Sequence, residues 1–132
     1  MSQQNLDVVR GWYAAAVRGD LEAAADATDP DFEFIPPDRV LDAQPVKGGA
    51  AMAAWWEDQR EAVGDMTNEV EEFRDAGDCV VVFVRMHVFP RATDASFELS
   101  IAHVCTVRDA KLVRLHVFPN RDEALEAVGL RE

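Results

Sequence analysis

The stretch VVVFVRMHVFP, residues 80–90, decides the fold, because its run of apolar residues is typical of a buried strand. Two of its residues, Arg85 and His87, are polar, and their spacing of two positions places both on one face of the strand. A charged side chain in a sealed core needs a partner. We therefore expect this face of the strand to line a cavity rather than a closed core.

Strands are also predicted on both sides of this stretch, where the apolar residues recur with a period of two. They cover MTNEVEEFRDA (66–76), SFELSIAHVCTV (96–107) and LVRLHVFP (112–119). Gly77-Asp78 and RDAK form tight turns between them, and PRATDA forms a loop. Consecutive strands with short connections predict a four-stranded antiparallel meander.

Helices are predicted mainly before these strands. The segments NLDVVRGWYAAAVRG (5–19), DLEAAADAT (20–28) and AAMAAWWEDQREAV (50–63) have helical patterns, and NRDEALEAVG (120–129) forms a helix after the meander. A short strand, DFEFI (31–35), lies between the second and third helices. Strands grouped after helices favour an α+β fold over a parallel α/β sheet.

The composition argues against several classes of protein. With 132 residues, of which 48% are hydrophobic, the chain is long enough for one domain with a core, and we expect a single domain over residues 1–132. Lys and Arg number 13 against 25 Asp and Glu, and the net charge of −12 repels nucleic acids and anionic membranes. Two cysteines are too few for a disulfide framework or a cysteine-built zinc site.

The sequence gives no sign of insertion into a membrane or of export. It contains no apolar run of about 18 residues. The segment MSQQNLDVVR (1–10) lacks the apolar centre of a signal peptide. We therefore expect a cytoplasmic protein.

A family resemblance appears when separate segments are considered in order. They are RGDLEAA (18–24), PDFEF (30–34), VKGGAAMAAWW (46–56), FRDAGDCVVV (73–82) and AHVCTVRDAKLVRLHVFPNRDEALEAVGL (102–130). Over about residues 5–130 the chain resembles the SnoaL-like family of the nuclear-transport-factor-2-like superfamily, which also holds ketosteroid isomerases and polyketide cyclases. The resemblance implies a cone-shaped curved antiparallel sheet wrapped around three helices, with an open pocket, a short terminal helix and dimerisation through the outer face.

The resemblance also allows the steroid-isomerase residues to be compared with this sequence. Their catalytic tyrosine falls at Trp12, with Tyr13 beside it, their carboxylate base falls near Ile35, and the protonated aspartate of their sheet falls at Ala102. None of these three positions keeps the residue type that the isomerases use. This difference speaks against steroid-type isomerisation.

The same alignment predicts which side chains line the pocket. It places Ala102 on the concave face, and the predicted hairpin then pairs Phe83 with Ala102, Arg85 with Ser100, and His87 with Glu98. A carboxylate can orient an imidazole and raise its pKa, so His87 and Glu98 form a candidate acid/base pair. Arg85 is a candidate for stabilising an oxyanion. The alternative is a purely structural network of hydrogen bonds.

Further candidates lie on the mouth loop and on the helices. Asp38 is near the position of the isomerase base and is a candidate catalytic carboxylate, although a solvated loop residue is the simpler interpretation. Trp12, Tyr13 and Trp55 are candidate ligand contacts, with core packing as the alternative. Phe83, Ser100 and Ala102 complete the predicted ligand pocket.

The convex face carries the predicted dimer interface. We place an apolar strip there, formed by Val84, Met86, Val88, Ile101 and Phe118. We also place His103, Cys105 and His116 on this face, and their spacing is only a weak metal-binding pattern. We therefore expect a homodimer and neither a metal nor a cofactor.

Two functions from different classes agree with this reading. The first is a cofactor-independent acid/base enzyme, of isomerase, cyclase or dehydratase type, that acts on a small hydrophobic carbonyl or polyketide-like compound. The second is a non-catalytic ligand-binding or dimeric interaction domain of the same fold. The pocket residues alone leave both open.

Overall fold

The computed structural model describes residues 2–37 and 44–130. Asp38 lies outside these residues, so its predicted role stays a prediction. In the order of the chain, the elements are α1 (Ser2–Val17), α2 (Leu21–Asp26), β1 (Thr28–Ile35), β2 (Val46–Lys47), α3 (Gly49–Ala62), β3 (Gly64–Ala76), β4 (Cys79–Pro90), β5 (Phe97–Arg108), β6 (Lys111–Phe118) and α4 (Arg121–Ala127). This order confirms the predicted α+β fold.

The strands form one curved, unclosed sheet with the order β2-β1-β6-β5-β4-β3. The predicted meander of β3 to β6 is antiparallel throughout. The sheet continues beyond it, because β1 pairs with β6 in parallel and β2 pairs with β1. Among the described residues, no helix is both long and apolar enough to cross a membrane.

The inner face of the sheet packs against α1 and α3. Its core contains Val80, Val82 and Val84 of β4, together with Val9 and Tyr13 of α1. These β4 residues are fully buried because every second position of the strand is apolar and meets the helices. The largest contiguous core therefore lies between the helices and the inner face.

The outer face of the sheet is covered at one end by α4. Ala124 and Leu125 of this helix pack against Phe83, Ala102 and Val104 of the sheet. Asn120 begins the helix as a cap, since its side chain accepts a hydrogen bond from the backbone N–H of Glu123, 2.9 Å away. Apolar residues thus occupy both faces of β4, which explains why the strand has so few polar side chains.

The predicted pairing of β4 with β5 is confirmed, whereas the predicted facing of both strands is wrong. The observed partners are Phe83 with Ala102, Arg85 with Ser100, and His87 with Glu98. All six side chains, however, are on the outer face, because the alternate positions carry the apolar residues that pack against α1 and α3. The pairing of two strands depends on the length of their connection. The face on which a side chain lies depends on whether its position in the strand is odd or even. An alignment error of one residue therefore assigns the side chains of both strands to the wrong face.

The same inversion corrects the predicted dimer strip. Val84, Met86, Val88 and Ile101 belong to the inner core rather than to a convex surface. Phe118 packs beside the cluster under α4, and its ring stacks on His116 at a centroid distance of 4.1 Å. His103 and Cys105 face inward, so they do not share a face with His116.

The junction between α3 and β3 fixes the position of α3 over the sheet. Gly64 begins β3 with φ at 142°, and a Cβ there would lie 2.2 Å from the backbone oxygen of Phe89. The guanidinium of Arg91 donates hydrogen bonds to the backbone oxygens of Arg60 and Glu61 at the end of α3. Glycine is required at this junction because any side chain would collide with β4.

Candidate ligand-binding site

A cavity of about 450 Å3 lies between α1, α3 and the inner face of the sheet. Most of its wall is apolar or aromatic, as is typical of small-molecule sites. The lining residues are Trp12, Tyr13, Ala16, Val17, Phe34, Met52, Trp56, Arg60, Met66, Thr67, Asn68, Val70, His103 and Leu115. The volume is sufficient for a compound of one or two rings.

A chain of three polar side chains lies against one wall of this cavity. The hydroxyl of Tyr13, on α1, is 2.5 Å from Nδ1 of His103 on β5. The same hydroxyl is 3.6 Å from Sγ of Cys105. All three side chains are buried.

Burial keeps all three groups in their neutral forms near pH 7. Loss of hydration lowers the pKa of His103 to about 4. Burial also raises the pKa of Cys105 to about 12, although its hydrogen bond with Tyr13 opposes this change. The pKa of Tyr13 is raised well above its ordinary value, first by burial and then by the neighbouring Cys105. These three groups therefore offer hydrogen bonds rather than charges.

We assign the proton of the His103 imidazole from the two hydrogen bonds that are open to the Tyr13 hydroxyl. A phenolic O–H donating to a neutral imidazole nitrogen is a stronger bond than one donating to sulfur. We therefore assign the Tyr13 proton to the bond with Nδ1, which leaves the imidazole proton on Nε2. Among the described residues, no group forms a hydrogen bond with His103 Nε2, and this atom is buried. An unpaired N–H donor thus remains in a residue that lines the cavity.

The aromatic residues divide between the cavity wall and its support. Trp12 and Tyr13 line the cavity and stay candidate ligand contacts, and the indole N–H of Trp12 donates to Oγ1 of Thr28 at 3.0 Å. On α3 the cavity is lined by Trp56 rather than by the predicted Trp55. Trp55 packs behind the wall, with its ring 5.1 Å from that of Phe34. Trp55 is therefore a supporting residue in this structure.

The predicted catalytic pair lies outside the cavity. His87 Nε2 is 3.1 Å from Glu69 and His87 Nδ1 is 3.7 Å from Glu98, so His87 and Glu98 do lie opposite each other as predicted. Both side chains are on the outer face and partly exposed to solvent. The prediction that they line the pocket is wrong, and their catalytic assignment loses the placement on which it depended.

Arg85 belongs to the same network on the outer face. Its guanidinium donates two hydrogen bonds to Glu71, at 2.7 and 3.2 Å, and lies 3.5 Å from Glu98. Glu71 also contacts Arg121 at the start of α4, and the bonds from Arg85 lower the pKa of its carboxyl. This arrangement corresponds to the structural network that was the alternative interpretation.

The remaining pocket predictions are corrected in the same way. Phe83 and Ala102 are buried beneath α4, and Ser100 is exposed on the outer face beside Arg85. The guanidinium groups of Arg121 and Arg74 lie 4.6 and 5.1 Å from the centre of the Phe83 ring. None of these residues contacts the cavity because each lies on the opposite side of the sheet.

His103 could have been found from the sequence by comparing the two faces of each strand. The even positions of β4 from Val80 to Val88 are all apolar, whereas the odd positions include Arg85 and His87. The uniformly apolar set should face the helices. The confirmed register then places His103, opposite Val82, on the inner face.

Metal binding has no support in the described residues, where no three His, Cys, Asp or Glu side chains lie close enough together to hold an ion. The two cysteines are free, with Cys105 facing the inner core and Cys79 packed on the side of α4. Among the hydrogen bonds of the described residues, Cys105 contacts Tyr13 and does not contact a carboxylate.

Comparison with known proteins agrees with this architecture. An NTF2-like protein from Burkholderia thailandensis E264 is 25% identical, with 86% of this chain and 88% of that chain covered and a TM-score of 0.76. Another, from Burkholderia xenovorans LB400, is 26% identical, with 89% of both chains covered and a TM-score of 0.71. TerC, co-crystallised with polyporic acid, is 23% identical over 96% of this chain and 98% of its own, with a TM-score of 0.75, and shows the shared fold alone.

Sequence comparison points to the same group of proteins. No curated protein matches the chain. The sequence pattern of the SnoaL-like domain, in contrast, matches residues 9–115. Because these residues form most of the chain, the protein belongs to the SnoaL-like domain family and has the NTF2-like fold.

Proposed function

We propose that the protein binds a small, largely apolar molecule in the cavity and holds a hydrogen-bond acceptor of that molecule, such as a carbonyl oxygen, at His103 Nε2. The observation that carries this proposal is an unpaired buried nitrogen on a residue that lines a mainly apolar cavity. An unsatisfied buried donor typically costs about 1–3 kcal/mol. A ligand oxygen placed there would remove that cost.

The chemistry of the wall supports a neutral acceptor at this point. A neutral imidazole N–H donates well to a carbonyl oxygen. Phe34, Met52 and Leu115 supply apolar surface around it. Membership of the SnoaL-like family supports a small hydrophobic carbonyl or polyketide-like compound as the ligand class.

Catalysis is the second candidate function, and the bond between Tyr13 and His103 is the observation that favours it. The pair would stabilise an enolate or a related oxyanion by hydrogen bonding. It would not abstract a proton at neutral pH, because the pKa of His103 is about 4. A cofactor-independent isomerase, cyclase or dehydratase would thus need another base, and Asp38 stays the predicted one.

The binding proposal predicts that the protein distinguishes a ketone from a hydrocarbon of the same shape. We would titrate 2-acetylnaphthalene and 2-isopropenylnaphthalene, following the tryptophan fluorescence of Trp12 and Trp56. The wild type should bind the ketone roughly three- to tenfold more tightly, since a neutral hydrogen bond contributes about 0.5–1.5 kcal/mol. His103→Phe should bind the two compounds equally.

His87→Phe is the matched control, because it changes a histidine on the outer face and should keep the preference for the ketone. Equal affinities in the wild type, or an unchanged preference in His103→Phe, would contradict the proposal. The same samples in D2O test catalysis, since an enolising enzyme would exchange the methyl protons of the bound ketone, as seen by NMR. No exchange above the rate in buffer would count against the catalytic candidate.

Three further expectations stay predictions. They are a single domain over residues 1–132, a cytoplasmic location, and a homodimer that forms through the outer face of the sheet. The last rests on the family resemblance, because four of the five residues of the apolar strip first assigned to that face belong to the inner core.

A further inference from the structure

The charge of the cavity wall is opposite to that of the whole protein. The chain has a net charge of −12, with 25 Asp and Glu. Among the described residues that line the cavity, however, there is no Asp, Glu or Lys, and Arg60 carries the one formal charge. An amine ligand would find no carboxylate in this part of the wall, whereas an anionic ligand would find a cation.

Arg60 is placed on the cavity side of α3 by its spacing. Met52, Trp56 and Arg60 follow each other at intervals of four residues, so they lie along one side of the helix and all three line the cavity. The Arg60 side chain is 43% exposed, which places its guanidinium at the rim rather than at the buried end occupied by His103. The two polar groups thus differ in depth as well as in charge.

The guanidinium of Arg60 is only weakly engaged with other groups of the protein. Its ion pair with Glu57 has an N–O distance of 3.5 Å, and Glu57 is itself 66% exposed. Exposed pairs of this kind contribute little to stability. A guanidinium has five N–H donors and can hold a carboxylate through two of them, so Arg60 retains donors for a ligand.

We propose that the ligand is an amphipathic carboxylate, with a carbonyl or similar acceptor at His103, an apolar middle part along the cavity, and its carboxylate at Arg60. This inference rests on the proposed function and adds the charge and polarity of the ligand to it. The mainly apolar wall of the cavity accounts for the middle part. The carboxylate would remain partly hydrated, because Arg60 lies at the rim.

The test compares carboxylic acids with their methyl esters. A series of (4-acetylphenyl)alkanoic acids with one to four methylene groups keeps the ketone and varies its distance from the carboxylate. For the best length, calorimetry at low salt should show the acid binding about fivefold more tightly than its ester. Added salt should reduce this preference, since a partly exposed ion pair is screened.

Arg60→Gln should remove the preference for the acid and leave the affinity of the ester unchanged. Arg114→Gln is the matched control, because Arg114 also forms a loose ion pair of 3.5 Å, with Glu33, and does not line the cavity. This control should keep the preference. Arg60→Lys keeps the charge without the paired donors and should show an intermediate preference.

The outcomes separate this inference from the function on which it rests. One outcome is that the esters bind, that His103→Phe weakens their binding, and that the acids bind no better than the esters. In that case the inference is overturned and the proposed function stands. An acid preference that survives Arg60→Gln also overturns the inference. If neither acids nor esters bind at any length, both the inference and the proposed function fail.

Discussion

At the scale of single residues, the buried imidazole of His103 makes the stability of the fold depend on pH. Burial lowers the pKa of His103 from 6.5 to about 4, while the unfolded chain keeps the ordinary value. Between pH 6.5 and 4 the unfolded state binds more protons, so the free energy of unfolding falls as the pH falls. Above pH 6.5 the neutral His103 does not reduce the free energy of unfolding. At pH 5 its lowered pKa has reduced the free energy of unfolding by about 2 kcal/mol.

When the pH falls from 7 to 5, we predict that the free energy of unfolding decreases less in His103→Phe than in the wild type. The difference between the two decreases should be about 2 kcal/mol. Urea denaturation at both pH values measures this difference. Tyr13, which contacts His103, and Cys105, which contacts Tyr13, stay neutral over this range because burial raises the pKa of each. His87→Phe is the control. An equal loss of stability in His103→Phe and the wild type would show that His103 is not the group responsible.

The residue scale also shows where the sequence is sufficient and where it is not. The pairing of His87 with Glu98 was predictable, because a hairpin with a short connection fixes its register locally. The contact of Tyr13 with His103 joins residues 90 positions apart, and no local pattern specifies it. It depends on which face of the sheet meets α1, and an alignment error of one position reversed that choice.

At the scale of elements, the turn between β5 and β6 contains a strained residue. Asp109 and Ala110 have φ values of 52° and 63°, and they lie between the paired residues Arg108 and Lys111. A two-residue hairpin turn of this kind favours glycine at its second position. A left-handed backbone conformation costs alanine roughly 1–2 kcal/mol.

We predict that Ala110→Gly raises the free energy of unfolding by about 1 kcal/mol, since it removes this strain and Ala110 is exposed. The midpoint of urea denaturation measures the change. Ala53→Gly, at an exposed position within α3, is the matched control and should lower stability by about 1 kcal/mol. Two changes of the same sign would contradict the assignment of strain to the turn.

The elements themselves were largely predictable from the sequence. The four strands of the meander and the cap at Asn120 follow from period-two patterns and a short capping motif. The parallel pairing of β1 with β6 was not predicted, because no turn connects these strands and their contact depends on the whole fold. The outer face of β4 carries charged residues because α4 covers only one end of it. These charged residues led to the wrong prediction of which face of β4 lines the cavity.

At the scale of the whole molecule, the predicted homodimer needs a different test from the one that the apolar strip suggested. A charge at Ile101 would now be placed in the core, since Ile101 is 6% exposed, and Ile101→Asp should unfold the chain rather than separate two protomers. Ser100 is exposed on the outer face, next to Arg85 and beyond the part that α4 covers.

We predict that the wild type sediments as a dimer at tens of micromolar, roughly the range in which an interface of standard size holds. Ser100→Arg should give a folded monomer, because it adds bulk and charge on the outer face that is the predicted interface. Ala53→Arg, on the exposed side of α3, should leave the dimer intact. A wild-type monomer at this concentration would sink the prediction.

The parallel pair of β1 and β6 also constrains the order in which the chain folds. The 75 residues between Ile35 and Lys111 (36–110) form a long loop that must close before this pair exists. Closing a loop of that length costs about 4 kcal/mol in chain entropy. The hairpins of β3 to β6 close much shorter loops and can form before it. Phe34 of β1 and Leu115 of β6 are paired and line the cavity, so the cavity belongs to the final stage of assembly.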